Sequence, residues 1–338
     1  MRRIIIGIHG LGNKPSPPVL ASWWRKSVYE GLSAIGHPRR RLPFELVYWA
    51  DILHPVAQDR SVQDANDVRF LDEPWTPSPG LHVAKSYLMR KALLNLFEKQ
   101  LKRLKLDGEG NIIWKHITDL VLQRYFSDLD CYYSNCLKPA KNGVQPVRDR
   151  IRSRLAEVLR QHRGKEIMLI AHSMGSIIAY DVLTHIVPDV PIHTLVTIGS
   201  PLGVPVVIHK IKKELNLSNG APPTPDAIQV QWCNLADLED KVALDYKLSD
   251  DYTANRHGIA PLDLQVYNNY TLKHRKNPHK VYGYLRTPEL ARLCFDFLYK
   301  DEPAARVQRQ DLFYKVYEAG AALLDIFNRV GSKGQEKK

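Results

Sequence analysis

Short unbroken apolar runs alternate along this chain with longer stretches in which apolar residues return every three or four positions. The first run, RIIIGI at 3–8, is rich in β-branched residues and ends in His9-Gly10. It fits a strand buried on both faces that feeds a glycine-containing loop. Leu20, Trp23, Trp24, Val28 and Leu32 then recur at helical spacing within 19–36, ahead of Gly36 and Pro38. FELVYWA at 44–50 reads as a second strand. Strand, helix and strand in that order predict a right-handed parallel unit.

The rhythm breaks after residue 50. Residues 51–80 are rich in Pro, Asp and Gln and read as a long loop. Helical spacing returns over 81–105 and about 112–126, separated by the turn LDGEGN at 106–111, and 127–145 reads as irregular. From 146 the alternation resumes. A helix at 146–162, a strand at 166–171 and a helix at 174–186 lead to a strand at 193–198 and a short helix at 205–214. A Pro-rich loop at 221–225 precedes strands at 227–235 and 264–268, a helix at 288–299, and an amphipathic helix at 303–329 with a Lys-rich tail. The expected fold is α/β, a doubly wound, mostly parallel sheet with helices on both faces. Residues 1–50 and 146–300 would form its core, 51–145 a mainly helical insertion, and 301–338 a C-terminal helix and basic tail.

Composition changes this picture only at its margins. With 338 residues and 44% hydrophobic content the chain can bury a large core. Its net charge of +12 allows nucleic acid, an anionic membrane surface or acidic substrates as partners. No zinc-finger, RNP or helix-turn-helix signature supports nucleic acid. The arginines of 148–163 surround a buried stripe of Ile151, Leu155, Val158 and Leu159, as on a solvated helix face. Cys131, Cys136, Cys233 and Cys294 show no CxxC pair and no zinc spacing, and are expected to be reduced thiols. The apolar run after Met1-Arg2-Arg3 is shorter than the roughly 7–15 residues of a signal-peptide core. No apolar stretch reaches the ~18 residues of a membrane span. These features set a cytoplasmic expectation.

The chemistry concentrates at IMLIAHSMGSIIAYDVL, 167–183. Ser173 stands at the junction of a strand and a helix, with Ala171 two before it and Gly175 two after. A strand-to-helix turn around a nucleophile needs small residues there, because strand and helix crowd those positions. The helix N-terminus beside the serine favours developing negative charge. A serine at a helix start can also be a plain N-cap, but strand, histidine, serine and helix together favour the catalytic reading.

On A-H-S-M-G and its context, the chain resembles the α/β-hydrolase superfamily, in particular its bacterial lipase and esterase branch. The resemblance covers most of 1–50 and 146–300, with the first two strands of the full fold absent. It implies an oxyanion site made by the backbone N–H of Met174, after the nucleophile, and of Leu11, after the His9-Gly10 pair. His9, Gly10, His172 and Ser200 (in TIGSPLG, 197–203) would border the substrate, His9 and His172 as supports and Ser200 as a turn residue. An acid and then a histidine should follow Ser173 in the chain. Asp237, Glu239 and Asp240 compete for the acid. Asp240-Lys241-Val242 matches the D-x-V pattern of lipase-like members, and Asp237 remains the alternative. His257, His274 and His279 compete for the base. His279 with Tyr282 matches the H-x-x-Y of the family, whereas His274 lies among Lys273, Arg275 and Lys276, whose charges would depress its basicity.

These residues imply a serine hydrolase acting on a carboxylic ester through an acyl-enzyme, with no metal and no organic cofactor. A thioesterase, amidase or acyltransferase would use the same triad, and an inactive hydrolase-fold binding protein is the alternative outside enzymology. The expected substrate is a small-molecule or lipid acyl ester. The stripe Leu94, Phe97, Leu101 and Leu104, flanked by lysines and Arg103, fits a helix packed on the core, or a lid that touches an anionic membrane surface.

Overall fold

The computed structural model describes residues 2–38, 42–79, 129–134, 136–140, 143–243, 246–299 and 301–302. In chain order, β1 (Arg3–Ile8) is followed by α1 (Pro17–Ala34), β2 (Phe44–Val47) and the short α2 (Ala50–Leu53). A two-stranded antiparallel hairpin, β3 (Leu137–Ala140) and β4 (Gly143–Pro146), leads into α3 (Val147–Gln161). Then come β5 (Glu166–His172), α4 (Met174–Asp181) with a π turn over Val182–Ile186, β6 (Ile192–Ile198), α5 (Pro205–Glu214) and β7 (Ile228–Asp237). β8 (Pro261–Val266), the small hairpin β9 (Thr271–Leu272) and β10 (Arg275–Lys276), α6 (Val281–Leu285) and α7 (Pro288–Tyr299) complete the described elements.

Six strands form one sheet in the order β2-β1-β5-β6-β7-β8, and every neighbouring pair is parallel. The alternation of side chains along each strand divides the core between its faces. Ile4, Ile6 and Ile8 of β1 and Ile167, Leu169 and Ala171 of β5 join the face covered by α3 and α4. Ile5, Met168 and Ile170 join the opposite face, with Trp24, Val28 and Leu32 of α1 and Leu290 and Cys294 of α7. The central strands are therefore apolar on both sides, which is why they read as unbroken runs. On α3, Ile151, Leu155 and Leu159 are fully buried. Each such side chain contributes about 1.5–3 kcal/mol on leaving water. The expected doubly wound parallel sheet with helices on both faces is what the chain forms, and the arrangement is that of an α/β-hydrolase-like fold.

The strand order also places the site. From β1 the chain moves outward to β2, then returns to the other side of β1 to lay down β5. Connections leave the carboxyl ends of β1 and β5 toward opposite sides, and the crevice this opens is where doubly wound sheets bind ligands. The loops in question begin at His9 and Ser173.

Several local expectations differ from the structure. Within 127–145, read as irregular, residues 129–133 are helical and β3 and β4 form their hairpin; the strands are short and their exposed Leu137 and Val144 leave no inward face to read. Cys233 and Cys294 are free, but Cys131 and Cys136 form a disulfide, against the expectation of reduced thiols. The chain reverses after the 129–133 turn, Cys136 N–H donates to the Cys131 carbonyl (3.0 Å), and the two Cα atoms come within 5.1 Å, inside disulfide range. A spacing of five carries no sign of that reversal. The expected helices at 81–105, 112–126 and 303–329 lie outside the described residues. Among the described residues, no helix is long and apolar enough to cross a membrane.

Candidate active site

Ser173 sits between β5 and α4 with φ 55° and ψ −130°, a left-handed conformation that non-glycine residues seldom adopt. The surroundings hold it there. Its N–H donates to the Ile198 carbonyl of β6 (3.0 Å), and its own carbonyl accepts from Ser176 N–H (2.9 Å) and Ser176 Oγ (2.6 Å). Small residues make the turn fit. A Cβ on Gly175 would lie 2.8 and 2.9 Å from the carbonyl oxygens of Ile8 and His9, and one on Gly10 would lie 2.6 Å from Ser173 Cβ. Ala171, fully buried, pairs with Ile8 of β1 on one side and Thr197 of β6 on the other.

His279 reaches this serine from the loop before α6. Ser173 Oγ lies 3.0 Å from His279 Nε2. On the other side of the ring, Nδ1 lies 3.0 and 2.9 Å from the two carboxylate oxygens of Asp240. Asp240 is buried, and its other contacts are all donors. Oδ1 accepts from Val242 N–H (2.9 Å) and Oδ2 from Tyr284 Oη–H (2.7 Å). A carboxylate so supplied leaves Nδ1 protonated and Nε2 free to accept from the serine hydroxyl.

The competing residues lie elsewhere. Asp237 is also buried, but its oxygens accept from Asn268 N–H (2.6 Å) and Glu239 N–H (2.8 Å). It caps the turn that carries Asp240. His274 is exposed in the reversal between β9 and β10, and His257 is exposed in a turn beside Arg256.

Of the residues expected to border the site, His9 and His172 are both buried and both held neutral. Burial, then the charge of Lys14, puts the His9 pKa well below its ordinary value. Burial, then the neighbouring His279, does the same for His172. His9 Nε2 accepts from Trp49 N–H (3.0 Å), so Nδ1 carries the proton and donates to the Gly10 carbonyl (2.8 Å). The C=O and N–H of one trans peptide point opposite ways, so this bond turns the Leu11 N–H away from His9. Lys14 Nζ binds the carbonyls of Leu11 and Gly12 and stiffens the loop further. Met174 N–H opens α4, where the first turn's donors have no helical acceptor. His172 Nε2–H donates to the His279 carbonyl (2.9 Å), which joins the Ser173 turn to the histidine loop. Ser200 is buried. Its Oγ meets Ser176 Oγ (2.8 Å) and accepts from Leu202 N–H (3.2 Å), so it braces the start of α4.

Sequence reasoning passed over three groups that meet this constellation. Tyr284, kept protonated by burial and by the Asp240 charge, donates to Asp240 and accepts from Asp237 N–H (3.0 Å). The H-x-x-Y pattern pointed to Tyr282, which instead stacks edge-on against Trp23. Asn277 Oδ1 accepts from His279 N–H (3.0 Å), and Asn268 Nδ2–H donates to the Lys280 carbonyl (2.8 Å). NPH in the sequence was the one available signal for Asn277, since Asn before Pro commonly starts a turn. Away from this site, Asp181, His185 and Glu214 are close enough to share an ion, but Arg148 already bonds Asp181 (2.7 Å) and Glu214 (2.6 Å).

No curated protein matches the chain. Residues 135–220 match the family model of the PGAP1-like alpha/beta domain, a hydrolase-fold family, over the segment from β3 through α5 that includes His172, Ser173, Met174 and Ser200.

Proposed function

We propose that this protein is a serine hydrolase that cleaves carboxylic esters through an acyl-enzyme on Ser173. The observation that carries this reading is the unbroken hydrogen-bonded line from Ser173 Oγ through His279 to Asp240. Such a line activates a hydroxyl that is otherwise a weak nucleophile.

His279 Nε2 takes the hydroxyl proton as Oγ attacks the ester carbonyl carbon. The carbonyl oxygen becomes negative and is received by the N–H groups of Leu11 and Met174. The imidazolium is stabilised by Asp240, whose charge is itself held by Tyr284 and Val242. Collapse expels the alcohol, which takes the proton from His279. Water then enters, gives a proton to His279 and attacks the acyl carbon, and the acid leaves as Ser173 recovers its hydrogen. The chain's own groups complete this cycle with atoms and charges balanced. A binding protein that had lost catalysis would have no need of a His279 oriented between Ser173 and Asp240 or of a strained Ser173.

A fluorophosphonate probe tests the assignment. The native chain should be labelled at Ser173 and lose turnover of a p-nitrophenyl ester in step with labelling. Ser173→Ala should show neither, with turnover down at least about 10⁴-fold. A native chain that takes no label, or labelling that survives Ser173→Ala, would sink the proposal.

A further inference from the structure

Residues 73–78, without regular secondary structure, run as a strap against the segment that carries His279, and side chains fasten the strap at both ends. Tyr270 Oη–H donates to the Pro74 carbonyl (2.7 Å), and Arg286 donates to the Thr76 carbonyl (2.8 Å). At Ser78 the strap's N–H donates to Glu30 Oε1 (3.1 Å). Glu73 is the charged residue of this strap, and it points into the histidine loop. Both of its oxygens accept from Asn277 Nδ2 (2.7 and 2.9 Å), and Oε2 also meets Lys280 Nζ (3.1 Å). The opposite end of the same Asn277 amide accepts the His279 N–H. A carboxylate, an amide and the backbone of His279 therefore form one chain of hydrogen bonds. Neither Glu73 nor Asn277 belongs to the H-x-x-Y pattern that marks His279.

Resting on the proposed hydrolase, we infer that Glu73 is a positioning residue for His279, acting through Asn277 on its backbone and pairing Lys280 beside it. The Asn277 amide has two ends, and only one orientation serves His279: carbonyl toward the His279 N–H, NH₂ toward Glu73. A carboxylate, which only accepts, enforces that orientation. Glu73 also cancels the ammonium that follows the histidine in the chain. Burial alone would raise the Glu73 carboxyl, but Lys280, the Asn277 amide and His279 together hold it below its ordinary value, so it stays charged. Among the described residues, the charged or titratable groups that act on the imidazole or on its partners are Asp240 from the β7 turn, His172 at the end of β5, Tyr284 from α6 through Asp240, Lys280 of its own loop and Lys14 of the β1 loop through His172, and Glu73. Removing the Glu73 charge takes a carboxylate from the imidazolium and leaves Lys280 uncompensated. Both changes disfavour protonation of His279, so the acid limb of the rate profile should move to lower pH.

The test uses the full-length chain, a p-nitrophenyl ester, and fluorophosphonate titration to count competent sites. Glu73→Ala should lower kcat per titrated site by about 10- to 100-fold with little change in KM, the size expected when a catalytic group is displaced by up to about 1 Å. Glu73→Gln keeps one acceptor for Asn277 but not the charge. It should lose less rate than Glu73→Ala and shift its acid limb to lower pH. A strap that only aids folding would change the number of titratable sites and neither kcat per site nor the limb; that result overturns the inference while leaving the hydrolase intact. If Glu73→Ala does not fold, Glu73→Gln decides: a native acid limb overturns the inference. A native chain with no titratable site would overturn both readings together.

Discussion

The two halves of the candidate site are held by different means. The Ser173 turn is built from backbone. Ser173 is tied to Ile198 and Ser176, and the space around it is set by Gly10, Ala171 and Gly175, which have little or no side chain. The histidine loop is built from side chains. Asp240, Asn277, Asn268, His172 and Tyr284 each hold a different atom of His279 or of its neighbours. The elbow should therefore fail when atoms are added, and the histidine loop when hydrogen-bonding atoms are removed or exchanged.

The sharpest way to break that contrast lies in the β7 turn, where two buried aspartates stand three residues apart. In Asp240→Asn the amide can turn an N–H toward Nδ1 of His279, which then becomes the acceptor. The proton moves to Nε2, where it faces Ser173 and blocks proton abstraction. Turnover should fall about 10³- to 10⁴-fold while thermal unfolding stays near native. Asp237→Asn should do the reverse. One of two backbone N–H groups, from Asn268 or Glu239, loses its acceptor, at about 1–3 kcal/mol of stability, while kcat per titrated site changes by less than about tenfold. Equal losses of rate in both variants would remove the assignment of Asp240 as the acid.

That same difference explains what the sequence made legible. The sheet was readable because its central strands are buried on both faces, so RIIIGI and IMLIA need no partner to be recognised as strands. The elbow was readable because its constraint is local: small residues at fixed offsets from Ser173. The histidine loop was only partly readable. His279 stood out from His257 and His274 through a family pattern and through the cations that surround His274, and that pattern singled out Tyr282 where Tyr284 touches Asp240. Glu73 could not be found at all. It lies about 200 positions before Asn277, in a stretch whose composition signals a loop, and nothing in the spacing announces a contact across that distance. The Cys131–Cys136 disulfide stayed hidden for a related reason, since it depends on a reversal of the chain and not on a motif.

On the backbone side, Gly175→Ala is the corresponding break. The added methyl would meet the carbonyl oxygens of Ile8, the last residue of a central strand, and of His9 just after it, backbone atoms that cannot swing aside as a side chain tip can. The strand end must shift, and we expect about 1–3 kcal/mol of lost stability, read as a lower urea midpoint. Because His9 leads directly into Gly10 and Leu11, the loop proposed to receive the oxyanion moves with it, so kcat should drop with KM nearly unchanged. Retention of both native stability and native kcat would show that the elbow has more room than the structure gives it.

The smallest expected effect sharpens the comparison from the side of pH. His9 serves the backbone-built half and His172 joins the two halves. Both are buried with pKa values depressed well below 6.5. In the unfolded chain each takes up a proton as pH falls through about 6.5, while in the folded chain each stays neutral to a lower pH. The unfolded state then binds more protons, so stability rises with pH in this window and is lost on acidification. Each histidine contributes a slope of up to about 1.4 kcal/mol per pH unit below its unfolded value. Urea midpoints measured from pH 7.5 to pH 5.5 should fall for the native chain, and the fall should be shallower in His172→Gln, which cannot take up that proton. The Gln side chain can still offer an N–H toward the His279 carbonyl, so the slope should change more than the midpoint at pH 7.5. If the slope matches the native one, His172 is not held neutral in the fold.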